Sequence, residues 1–112
     1  MTQHTSDPFL ALADPSRRHI LQLLTKDSMT INALAENFDM SRPAVSKHVK
    51  MLYGAGFIAI KDVGRERYCS LREDGFRDMQ KWISHFDVFW NQKLYNLDSL
   101  LKQRAKKTDK PG

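Results

Sequence analysis

The chain is poor in the residues that most often carry chemistry or staple a small fold. Its 112 residues include one cysteine, Cys69, so no intrachain disulfide can form, in keeping with a reducing compartment. Only 5 glycines are present, none of them in a phosphate-cradling loop, and Gly54 and Gly56 read instead as a helix end. The 4 histidines, His4, His19, His48 and His85, are dispersed, with no nucleophile grouped beside them and no paired-carboxylate site. These absences exclude the common catalytic motifs, and the expectation is a non-enzyme with no cofactor. No apolar run reaches the ~20 residues needed to span a bilayer, and the polar start over residues 1–7 is no signal peptide, so a cytoplasmic location is expected. Acidic residues are outnumbered. Thirteen Asp and Glu against 18 Lys and Arg leave a formal charge of +5, which favours a polyanionic partner.

What is present is room for one compact domain with a modest core, expected over residues 1–104 and helped by dimerisation. Residues 105–112, with Lys106, Lys107 and Lys110, read as a basic flexible tail whose simplest role is a solvated end. Asp7-Pro8 and Asp14-Pro15 each set a capping carboxylate before a first-turn proline, which predicts a short helix near Phe9–Leu12 and a longer one over Pro15–Leu24. Ile20, Leu21, Leu23 and Leu24 supply core.

The most informative stretch is Met40–Leu52. Ser41 is a natural N-cap, and Pro43 falls in the first turn, where a missing N–H costs nothing. Val45, Val49 and Leu52 recur at helical spacing and point to the core, while Arg42, Ser46, Lys47 and Lys50 project elsewhere. That second edge carries donors and no carboxylate, which suits phosphates and the acceptor-rich edge of guanine. Upstream, Thr30 caps a helix expected to run to Phe38, with Ile31, Leu34, Ala35 and Phe38 on one stripe, and Asp39-Met40 make a tight connection into Ser41. This is the helix-turn-helix layout. Downstream, Phe57–Val63 and Glu66–Leu71 read as two strands around Gly64-Arg65, a wing with Lys61, Arg65 and Arg67 near its tip.

Taken together, Phe9–Leu21, Leu34-Ala35, Ser41–Leu52, Ala55–Ile58, Gly64-Arg65 and Tyr68–Leu71 resemble the ArsR family of winged helix-turn-helix repressors, in the expected order and from about Phe9 to Leu101. The fold implied is mainly α, an α+β winged helix-turn-helix with a helical core, a two-stranded wing and a long C-terminal dimerisation helix. The function implied is sequence-specific binding of double-stranded DNA by a homodimeric regulator, most simply a repressor acting on its own or an adjacent operon. Two recognition helices in successive major grooves require an inverted-repeat operator with half-sites ~10 bp apart. Arg42 and Lys47 are the choices for base contact, with Ser46 and the Pro43 ring near a base edge or thymine methyl. Lys50 is expected on phosphate. His48 lies beside the buried edge, where packing, phosphate and base contact all stay open. Arg65 is expected on the backbone or in the minor groove, with Arg67 beside it.

The last helix is expected to run unbroken from Asp74 to about Gln103. Phe76, Met79, Ile83, Phe86, Trp90, Leu94, Leu97 and Leu101 follow spacings of three and four, and Trp82, Phe89 and Leu100 widen the stripe. Such a surface is too apolar for one small domain to cover, so it predicts a two-fold interface of Trp82, Phe86, Phe89, Trp90, Leu94 and Leu97, joined by Phe9 and Leu12. Dimerisation through terminal helices is also what the resemblance implies.

Many relatives in the family sense metals, and this chain departs from their pattern. The resemblance places a Cys-x-Cys pair where Thr30 and Asn32 stand here, which removes thiolate ligation. A second family site on the C-terminal helix maps to His85, Asp87, Asp98 and Leu101, and one imidazole with two carboxylates is a thin donor set for zinc or nickel. The expectation is no metal; a metal-responsive repressor using that helix is the alternative, as is a winged-helix module that binds protein. The segment Phe89–Leu101 resembles a metal-free branch of the family, often encoded beside START-like ligand-binding proteins. It names no effector. Cys69, with no second cysteine to resolve a sulfenate, reads as a buried strand residue ahead of a redox sensor.

Overall fold

The computed structural model describes the backbone of residues 7–108 and side chains through Arg104. Its elements run α1 (Pro8–Ala11), α2 (Pro15–Leu24), β1 (Met29–Thr30), α3 (Ile31–Ala35), α4 (Arg42–Gly54), β2 (Ile58–Val63), β3 (Glu66–Leu71), α5 (Asp74–Ser84) and α6 (Asp87–Thr108). The chain divides into two units, residues 1–79 and 80–112. The first is a winged helix-turn-helix.

Side-chain caps start its helices where the sequence places them. Asp7 accepts from the Phe9 amide at 3.0 Å, Asp14 from Ser16 and Arg17 at 2.7 and 3.3 Å, and Thr30 from Ala33 at 3.0 Å. Substituting such a cap by alanine costs about 1 kcal/mol. Burial acts to raise the Asp14 pKa, but those two amides, with the charges of His48 and Arg17, hold it below the usual carboxylate value. The core gathers Ile20, Leu21 and Leu24 of α2, Ile31 and Leu34 of α3, and Val45, Val49 and Leu52 of α4, with Ala11, Ala55, Phe57, Ile58 and Cys69. Val45, Val49 and Leu52 are wholly inaccessible, so the apolar edge of α4 fixes which edge remains outside.

Four expectations need correction. The wing is part of a three-stranded antiparallel sheet ordered β1-β3-β2, since Met29 and Thr30 pair with Cys69 and Tyr68 on the far edge of β3. Two residues are too few to reveal a strand by alternation. Second, α3 ends at Ala35, because the Asn37 and Phe38 amides bond three residues back while the Asn37 side chain takes the Ala33 carbonyl at 3.0 Å. The connection to α4 is therefore longer than Asp39-Met40. Third, α1 spans Pro8–Ala11, one residue earlier than read.

The fourth correction is that the long terminal helix is two helices. The Ser84 hydroxyl donates to the Lys81 carbonyl at 2.8 Å, the His85 ring approaches the Trp82 carbonyl at 3.2 Å, and the His85 and Phe86 amides bond three residues back. Polar side chains that compete for main-chain partners end α5. Asp87 then opens α6, where a carboxylate favours a helix start. The apolar stripe continues across the break in sequence only. α6 carries the backbone to Thr108; of the expected tail 105–112, the side chains and residues 109–112 lie outside the described residues. No helix among the described residues is long and apolar enough to cross a membrane.

Two glycines take conformations that other residues avoid. Gly56 follows the end of α4 at φ 84°, and Gly64 opens the two-residue wing turn at φ 64°. On β3, Cys69 is fully buried; burial pushes its thiol up, against a lesser pull from Arg67, which keeps it in the less reactive protonated form.

Candidate nucleic-acid interface

The surface that could meet nucleic acid is built on the first unit by the outer edge of α4 and the wing. Ser41 Oγ accepts from the Ala44 amide at 3.3 Å, and Pro43 occupies the first turn as expected. Pro43, Lys47 and Lys50 are exposed, while Ser46 and His48 are half-buried. At ~100° per residue, residues 43, 46, 47 and 50 fall within an arc of about 100° on α4. That arc holds no acidic residue, and among the described residues Lys47 and Lys50 have no hydrogen-bond or ion-pair partner.

Arg42 stands apart from that arc. It lies about 140° round the helix from Lys47 and about 20° from the buried Val49, and its Nε donates to the Asn32 Oδ1 of α3. His48 is engaged too: its Nδ1 lies 3.3 Å from an Nη of Arg17. Arg17 is a junction, donating from Nε to the Ala11 carbonyl at 2.6 Å and from Nη2 to the Leu10 carbonyl at 3.3 Å, with Asp14 at 3.9 Å. The contacts of Asn32 and Arg17 with these side chains are what sequence reading missed, because each joins residues distant in sequence and neither sits in a periodic pattern.

At the wing, Val63 pairs with Glu66, so Arg65 rides at the tip, exposed and with no partner among the described residues. Arg67 instead faces Asp62 across the hairpin, 3.3 Å away, which offsets the charge expected to serve DNA. Lys61 is exposed. Glu66 bonds the Tyr68 hydroxyl and raises its pKa through that bond and its charge.

The helix-turn-helix is also what comparison with known proteins finds: residues 12–60 match a family model described as a helix-turn-helix domain. The chain is 37% identical over 78 residues to the transcriptional repressor SdpR of Bacillus subtilis, covering 70% of this chain and 87% of that one. It is 31% identical over 98 residues to the HTH-type transcriptional regulator Rv2034 of Mycobacterium tuberculosis, covering 88% and 89%. A crystal structure of an ArsR family transcriptional regulator superposes with a TM-score of 0.70 at 34% identity, over 76% of this chain and 88% of that chain. The chain belongs to the ArsR family of winged helix-turn-helix transcriptional regulators. A protein of Streptomyces lividans named "Probable mercury resistance operon repressor" is a more distant relative, 30% identical over 71 residues, 63% of this chain and 57% of that one.

The metal-sensing positions of the family hold other chemistry in this member. Thr30 spends its hydroxyl on the α3 cap and Asn32 holds Arg42. In the second unit, Asp98 pairs with Lys102 at 3.2 Å, and the His85 ring lies against the Trp82 carbonyl. Among the described residues no three His, Cys, Asp or Glu side chains are grouped to hold an ion. Zinc or nickel is therefore expected to bind no tighter than roughly micromolar, and a chelator is expected to leave DNA affinity unchanged. Calorimetric titration checks both; tight stoichiometric metal that releases DNA would point first to His85, Asp87 and Asp98.

The residues expected at a dimer interface are apolar and open to solvent in the single chain. Trp82, Phe86, Phe89, Trp90, Leu94 and Leu97 are each 39–60% exposed, as is Phe9 at 39%. Leu12 is half-buried against the core. Trp82 and Phe86 rings lie 4.9 Å apart, Phe89 and Trp90 5.2 Å, and the Lys93 ammonium sits 5.4 Å from the Phe89 ring centre.

Proposed function

We propose that the chain is a cytoplasmic homodimeric repressor that binds an inverted-repeat operator, each protomer placing α4 in a major groove and its wing over the adjoining backbone. The observation that carries this reading is the outer arc of α4: two unpaired lysines, a serine and a proline, with no carboxylate, on a helix whose opposite edge is locked into the core. A helix anchored in this way presents a fixed surface, which base reading needs. Repression is carried over from SdpR, which is named for it. Dimerisation is drawn from the apolar surfaces of α5 and α6.

Lys47 and Arg65 are expected to separate the two classes of contact. Lys47→Ala should lose ~1–3 kcal/mol on the operator and flatten discrimination against a scrambled duplex, because base-edge bonds carry sequence information. Arg65→Ala should weaken both duplexes by similar factors and lower the salt slope by about one, because a backbone contact releases a counterion without reading sequence. Anisotropy titrations on both duplexes at several salt concentrations decide it. Wild-type affinity that ignores salt would argue for a protein partner on α4 and against the reading as a whole.

A further inference from the structure

Between the start of α3, the first turn of α4 and the wing lies a cleft of about 330 Å³, lined among others by Thr30, Asn32, Arg42, Asp62, Arg65 and Arg67. Its charges are unequally engaged. Arg67 is matched by Asp62, whereas Glu66, also in the lining, is bonded by the neutral hydroxyl of Tyr68 and keeps its charge. Arg65 has no partner among the described residues. Arg42 spends only Nε on the neutral amide of Asn32, so no ion pair engages its charge and its Nη1/Nη2 end remains for a ligand. Three guanidiniums against two carboxylates leave the cleft one positive charge in excess, and the two without an ion pair, brought there from the helix and the wing, together offer an anion with several acceptor oxygens a set of donors.

We propose that this cleft is a phosphate site, filled by a backbone phosphate of the bound duplex, and that Asn32 positions Arg42 for it. The site rests on the DNA-binding reading above and reassigns Arg42 within it, from base contact to backbone clamp. Position on the helix supports the change. Arg42 lies at the border of the buried edge, well round from the arc of Lys47 and Lys50, and its guanidinium turns toward α3 and the wing. A strand leaving the groove occupied by α4 for the one under Arg65 would pass between the two guanidiniums. A phosphate there would tie helix and wing to one point of the backbone and fix their register without reading sequence.

The test is a duplex titration over several salt concentrations with operator and scrambled sequences. Arg42→Ala should weaken both by roughly tenfold and flatten the salt slope by about one. Arg42→Lys, which keeps the charge but loses the planar fork and the Asn32 bond, should restore the slope and only part of the affinity. Asn32→Ala should weaken both duplexes in the wild-type background and change little once Arg42 is alanine, the non-additivity of a positioning pair. Both side chains are exposed, so matching thermal melts verify that the variants fold. Loss confined to the operator would return Arg42 to base reading and overturn the proposal; additive effects of Asn32 and Arg42 would overturn the positioning role. Inorganic phosphate added at constant ionic strength distinguishes the source. No saturable shift of the guanidinium resonances is expected, and a saturable one would assign the cleft to a small phosphorylated ligand instead. The parent reading fails separately, if wild-type protein shows no salt-dependent duplex binding or if Lys47→Ala leaves discrimination intact.

Discussion

Replacing Phe86 and Trp90 together by alanine is expected to yield a chain that sediments as monomer or does not fold. Both are large and both are exposed in the single chain at 39% and 54%; Phe86 stands in the break just before α6, where its carbonyl accepts from the Trp90 amide at 2.8 Å. Within α6, Phe89, Leu94, Leu97, Leu100 and Leu101 share the side of Trp90, so a partner covering one covers the rest. Truncating each fully buried aromatic costs roughly 3–5 kcal/mol, more than a small dimer can lose twice. Val88, 78% exposed, sits about 160° round α6 from Trp90, and Val88→Ala should leave assembly intact. Equilibrium sedimentation of the three proteins checks this. A double variant that remains fully dimeric would move the interface off this helix face.

The second large effect is expected in the first unit, at the junction of α4, the wing and α5. Phe57 is wholly buried, its amide donates to the Leu52 carbonyl at 3.0 Å, its carbonyl accepts from Arg72 at 2.8 Å, and its ring meets Phe76 edge-on at 4.7 Å. Phe57→Ala should cost about 3–5 kcal/mol. Gly75 closes over the same ring: a Cβ there would stand 2.8 Å from the Phe57 ring and 2.8 Å from the Ala55 carbonyl oxygen. Gly75→Ala should therefore cost about 1–3 kcal/mol by overpacking. In the Phe57→Ala background the same change should cost less but still something, because the ring is gone and the main-chain oxygen is not. Urea melts at one fixed protomer concentration measure all four corners. Equal costs of Gly75→Ala in both backgrounds would show that the ring is not what excludes the methyl.

The helix-turn-helix was legible because its signals are local. Ser41, Pro43 and the Val45–Val49–Leu52 spacing lie within one helix, and Gly64-Arg65 marks its own turn. What escaped reading depends on partners far along the chain. Met29 and Thr30 become a strand only because β3 lies beside them, and Asn32 matters only because Arg42 returns to it ten positions later. The break at His85 escaped for another reason: the three- and four-residue spacing of the apolar side chains carries on through it, and periodicity cannot register the carbonyls taken by Ser84 and His85. Arg67 was read as a cation in isolation, without the Asp62 that the hairpin register sets opposite it.

The contact between Arg17 and His48 ties the charge of the ring to its geometry. A guanidinium can only donate, so this contact is a hydrogen bond when Nδ1 accepts, which is the neutral ring with its hydrogen on Nε2. In that form α4 carries, beside its lysines, a donor that brings no cation with it. A hydrogen bond from that Nε2 to a phosphate oxygen would displace no counterion, and its share of the affinity would persist at ionic strengths where the lysines have lost theirs.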